Sequence, residues 1–132
     1  ARWWFPPCLD RLRRHQAAGD TVVLLTGTPQ FLADALAREL GAAQAIGTRC
    51  ASAAGRFLAR PPLRHPFGPA KLELLMALCA DLGVTASDLH AYADSAHDLP
   101  LLRFAGSPVA VRPDAALRAA AAAAGWEILG RR

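Results

Sequence analysis

Apolar positions along the chain alternate between two periods. Over 7–18, PCLDRLRRHQAA, the residues Cys8, Leu9, Leu12 and Ala18 recur at helical intervals, with Pro7 suited to a first turn and Gly19 to a stop. TVVLLT at 21–26 is a short continuous apolar run, which predicts a strand buried on both faces. GTP turns the chain, QFLADALAREL at 30–40 is helical and closed by Gly41, and AQAIGTR at 43–49 predicts a weaker strand. Residues 50–68 are the least regular, with a small hairpin expected about Gly55 before a Pro-rich connection. A helix is predicted over 69–83, strands over 88–94 and 107–113, a helix over 114–125 with Asp114 as N-cap, and a last short strand over 126–129.

Helices alternating with short buried strands predict an α/β fold with a mostly parallel sheet and right-handed crossovers. The 132 residues suit one domain. In such sheets ligands gather at the carboxyl ends of the strands. Three polar features fall there: Thr26-Gly27-Thr28 after the first strand, Lys71 in the first turn of the 69–83 helix, and Asp94 with Asp98 after the third strand.

Each feature has a chemical and a plainer reading. A hydroxyl and a glycine backbone before a helix N-terminus make an anion site; the alternative is a turn with Thr28 as helix cap. Lys71 stands where the helix dipole disfavours a cation, so it is either a solvated lysine or a point charge aimed at an anion. Asp94 is a candidate ligand for a hard cation such as Mg²⁺, or a helix cap. Asp98 either caps a helix starting near Pro100 or orients Lys71 and a metal-bound water. His97, between the acids, is a metal ligand or a hydrogen-bonded loop histidine. Arg56, Arg60 and Arg64 face an anionic substrate or simply solvent.

Composition narrows the classes. Net charge is +4, yet basic and aromatic residues do not interleave as a stacking platform requires, so nucleic acid is not the expected partner. Fourteen of the fifteen basic residues are arginine, which makes Lys71 conspicuous. Cys8, Cys50 and Cys79 are odd in number and form no CxxC, which predicts buried thiols in a reducing, cytoplasmic setting and no zinc site. No apolar run approaches the length of a membrane-spanning helix.

Taken in order, the three features resemble the haloacid dehalogenase-like (HAD) hydrolase superfamily, in its phosphoserine-phosphatase-like branch, subfamily IB. VVLLTGTP resembles the second motif of that family, GPAKLELL the third and AYADSAHDLPLL the fourth, and the tail from Ala105 is similar to how members of this branch end. The likeness runs over about residues 6–129. It implies a three-layer Rossmann-like core and a Mg²⁺-dependent phosphatase acting through an aspartyl-phosphate on a small phosphorylated metabolite. By position, Thr26 and the Gly27 backbone would bind the phosphate and Lys71 would neutralise its charge. Asp94 would hold Mg²⁺, and Asp98 would support Lys71 and the metal-bound water.

One departure is large. The first motif of the family, D-x-D, supplies the nucleophile and the general acid/base, and no D-x-D exists in these residues. Nor does the helical cap that follows it. The chain is therefore expected to be the C-terminal part of a longer enzyme, lacking the central strand between those ending at Thr26 and Asp94, and inactive alone. The alternative is a catalytically silent HAD-like module that binds phosphate or a protein partner.

Overall fold

The computed structural model describes residues 5–48, 52–53, 56–57 and 69–131. In chain order the elements are α1 (Pro6–Ala17), β1 (Val23–Pro29), α2 (Gln30–Leu40), β2 (Gln44–Thr48), β3 (Ser52–Ala53), β4 (Arg56–Phe57), α3 (Pro69–Leu82), β5 (His90–Ala93), α4 (Leu99–Phe104), β6 (Ser107–Val111), α5 (Ala115–Ala124) and β7 (Glu127–Leu129). Short 3₁₀ turns precede β5, at Ala86–Asp88, and α4, at Ala96–Asp98. This is the α/β alternation the periodicity predicts. The short hairpin is present as β3 and β4, paired antiparallel. Cys50, Arg60, Arg64, His65 and the Pro-rich connection lie outside the described residues.

The chain divides into two compact units, residues 12–67 and residues 1–11 with 68–132. In the first, β1 and β2 pair in parallel, and Ala33, Ala37, Leu40 and Ile46 are buried. The carboxyl end of α2 is closed by Gly41 in the left-handed conformation, φ 70°, where a Cβ is disfavoured. Arg13 and Gln16 of α1 add side-chain bonds to the Leu40 carbonyl, at 3.1 and 2.9 Å. Those are the carbonyls that a helix end leaves without an internal partner.

The strand β1 runs three residues further than TVVLLT suggests. Leu25 sits opposite Ile46, but the next paired residue is Pro29, opposite Thr48. Three residues of β1, Thr26 to Thr28, thus face one residue of β2, and the bulge falls on the TGT stretch. Gly47 makes room for it: a Cβ there would lie 2.6 Å from the Thr28 carbonyl oxygen and 3.0 Å from Gln30 Cα. Gln30 locks the crossing by accepting from the Gly47 N–H at 2.8 Å and donating to the Ala45 carbonyl at 2.9 Å.

In the second unit β5, β6 and β7 form a parallel sheet in that order, with His90 opposite Ser107 and Val109 opposite Glu127. Parallel neighbours require crossovers, and α4 and α5 supply them. Leu102 of α4 and Leu117 of α5 are fully buried, and Val109, Ala110 and Ala121 are buried as well. Alanine fills more of the interior than its small area suggests: Ala33, Ala110 and Ala121 have no exposed surface. Small side chains let helices and strands approach closely.

Among the described residues, β1 is an end strand of its sheet and β5 an end strand of its own.

Candidate active site

The fourth-motif stretch is built on the end of β5. Ala91 is buried in that strand, and Asp94 follows its last residue. Ser95 then caps the 3₁₀ turn, its hydroxyl accepting from the His97 N–H at 3.2 Å, and the Asp98 N–H donates to the Ser95 carbonyl at 3.0 Å. Capping thus falls to Ser95 and not to Asp94.

Asp98 precedes α4 but makes no side-chain capping bond. Its carboxylate instead accepts from Lys71 Nζ at 3.2 Å, across 27 residues of sequence. Asp98 is the buried charged residue among those described, 8% exposed, and both side chains are largely out of water. A carboxylate in that setting requires a partner, and Lys71 is the partner. The pair accounts for a lysine in the first turn of α3, where the helix dipole alone favours an acid.

Asp94 lines an open cleft of about 350 Å³ with Phe5, Val111 and Arg112. Arg112 was not among the expected site residues. Its backbone adopts φ +41°, in the left-handed region that disfavours any residue with a Cβ. Its guanidinium lies 5.2 Å from the centre of the Phe5 ring, a cation–π contact, and its Nε donates to the Arg131 carbonyl at 3.2 Å.

Thr26 and Gly27 belong to the unit of residues 12–67. The Thr26 Oγ1 accepts from the Thr28 N–H at 3.2 Å and bonds the Thr28 hydroxyl at 3.3 Å. Thr28 does not cap α2: the N-cap position is Pro29, with no side-chain bond. The hydroxyl of Thr26 therefore shapes the bulge from within.

A model of the haloacid dehalogenase-like hydrolase family matches residues 1–103. The chain belongs to that family. This HAD chain is 40% identical over 114 residues to a phosphoserine phosphatase of Mycobacterium tuberculosis, covering 86% of itself and 37% of that relative. It is 32% identical over 126 residues to a histidinol-phosphatase of Neisseria meningitidis, covering 89% of itself and 55% of the relative. It thus spans little more than a third to about half of the curated relatives it matches. Among solved structures, a protein of unknown function from Bordetella pertussis shares 31% identity and a TM-score of 0.84 over 96% of this HAD chain and 58% of its own. A substrate-bound phosphoserine phosphatase, 20% identical, gives a TM-score of 0.75 over 94% and 57%, a likeness of fold.

Two groups beside the Asp94 stretch carry no local mark of that placement in the sequence. Arg112 has no motif to mark it. Asp114 was read only as a helix cap, yet it also reaches the Asp94–Asp98 loop. The described residues gather no cluster of three or more His, Cys, Asp or Glu side chains suited to a metal. Mg²⁺ commonly takes one or two protein carboxylates and completes its shell with water and phosphate. Asp94 fits as one such ligand. Asp98, committed to Lys71, fits as a neighbour of the metal site rather than a direct ligand.

No described helix is long and apolar enough to cross a membrane.

Proposed function

We propose that this chain is the phosphate- and metal-binding part of a Mg²⁺-dependent HAD phosphatase that hydrolyses a small phosphorylated metabolite. The observation that carries the reading is the Lys71–Asp98 pair, 3.2 Å apart and mostly buried directly after β5. A lysine held there by a carboxylate supplies a fixed positive charge for a phosphoryl group, which needs electrostatic stabilisation as charge develops on its oxygens. The names of the mycobacterial and neisserial relatives support a phosphate ester as substrate.

Each residue then has a part. Thr26 and the Gly27 backbone bind the phosphate. Asp94 is the carboxylate that holds Mg²⁺, and the ion, when bound, draws charge from the phosphate oxygens. Asp98 holds Lys71 in orientation. The nucleophile is an aspartate outside these 132 residues, because the sequence contains no D-x-D. Its carboxylate oxygen attacks phosphorus, the ester oxygen leaves with a proton, and water then hydrolyses the acyl phosphate to free carboxylate and phosphate.

The test compares two proteins. A longer protein carrying an upstream D-x-D segment is expected to hydrolyse p-nitrophenyl phosphate with Mg²⁺, and Asp94→Asn is expected to abolish this. The 132-residue chain alone is expected to give no turnover. Turnover by the short chain, lost in Asp94→Asn, would show that the nucleophile lies within it.

A further inference from the structure

We propose that Asp114 is a positioning residue for the loop that carries Asp94 and Asp98. The inference rests on reading that loop as metal- and phosphate-binding. Asp114 lies outside the loop, between β6 and α5. Its carboxylate divides its work. Oδ1 accepts from the Leu117 N–H at 2.8 Å, the ordinary bond of a helix N-cap. Oδ2 accepts from the Ala96 N–H at 3.1 Å, 18 residues back in the chain. The main-chain N–H of Asp114 donates to the Asp94 carbonyl, also at 3.1 Å. One residue therefore grips the loop on both sides of Ser95.

A cap needs one acceptor, and serine, threonine or asparagine supplies it. The cap bond to Leu117 uses Oδ1, and Oδ2 reaches beyond α5. It is spent on Ala96, whose N–H lies in the turn between the two acids. Within the turn, the His97 N–H donates to Ser95 Oγ and the Asp98 N–H donates to the Ser95 carbonyl. Those bonds close the turn on itself. Asp114 ties the turn to the start of α5, and a carboxylate acceptor makes the stronger bond. With the turn anchored, Asp94 stays at the cleft while Asp98 meets Lys71. Groups outside a metal's own ligands set its affinity by orienting them.

Two variants of the longer, D-x-D-bearing protein separate the two tasks. Asp114→Ser keeps an acceptor for Leu117 and removes the oxygen that reaches Ala96. Asp114→Ala removes both. The serine variant is expected to melt above the alanine variant. It is also expected to exchange its Ala96 amide faster than wild type. Its Mg²⁺ affinity by calorimetry should fall about 10-fold. The Mg²⁺ concentration for half-maximal activity should rise to match, with turnover recovering at saturating Mg²⁺. Unchanged Ala96 exchange in the serine variant overturns the proposal. So does faster exchange with Mg²⁺ affinity unaltered, because the anchor would then be structural only. A wild-type protein that takes up no Mg²⁺ sinks the proposed function instead, and Ala96 exchange alone then decides whether Asp114 holds the loop.

Discussion

Lys71 and Asp98 keep only 16% and 12% of their side-chain surface exposed. An ion pair moved out of water gains little net stability, but deleting one member strands the other charge. Asp98→Asn is therefore expected to lower the stability of the chain by roughly 2 kcal/mol in urea denaturation. The double variant Asp98→Asn with Lys71→Met should recover part of the loss, because no charge is then stranded. An Asp98→Asn midpoint equal to wild type would mean that the pair is solvated in solution. At this scale the sequence was legible where a residue was locally out of place. Lys71 stood against its helix dipole, and two acids followed a strand. The partners themselves were not legible, since Lys71 meets Asp98 across 27 positions and Asp114 meets Ala96 across 18. Local pattern carries no information about which distant group a side chain will find.

The elements were predicted well because their signals are local: Pro at helix starts, Gly at helix ends and continuous apolar runs for strands. The miss was at β1. A turn with Thr28 as cap was one of the two readings of TGT, and the chain instead stays in the strand as a bulge ending at Pro29. The reason is on the other strand. Gly47 gives the bulge space, and Gln30 ties it to β2. Neither appears in the TGT stretch itself. Gly47→Ala would drive a methyl into the Thr28 carbonyl, so it is expected to destabilise the chain by about 1–3 kcal/mol, read from its denaturation midpoint. If it is tolerated without loss, the crossing is looser than the 2.6 Å approach implies.

Across the molecule, α1 is held to β7 by Arg11, which bonds both oxygens of Glu127 and also the Tyr92 hydroxyl. Arg11 and Glu127 are 116 residues apart, beyond any local pattern. The Arg11 bonds hold the Glu127 carboxyl below its usual range, and they raise Arg11 further above neutrality. A carboxyl whose folded value is lowered adds stability above its unfolded pKa, and that stability is lost as pH falls through the lowered value. Glu127 is 44% exposed, so Glu127→Gln is expected to lose only about 0.5 kcal/mol at neutral pH. The difference from wild type should shrink in high salt and vanish well below about pH 4. A gap that persists in acid would assign the effect to packing. Burial also pushes the Cys8 thiol up, against a smaller opposing pull from Arg11, so Cys8 is a poor nucleophile at neutral pH.

The parallel sheets end at β1 and at β5, and a strand at the end of a sheet offers a ladder to whatever segment can match its direction and spacing. For anyone handling the 132 residues by themselves, that sets the practical chemistry. A short peptide able to lie parallel along either edge is expected to raise the denaturation midpoint of the chain.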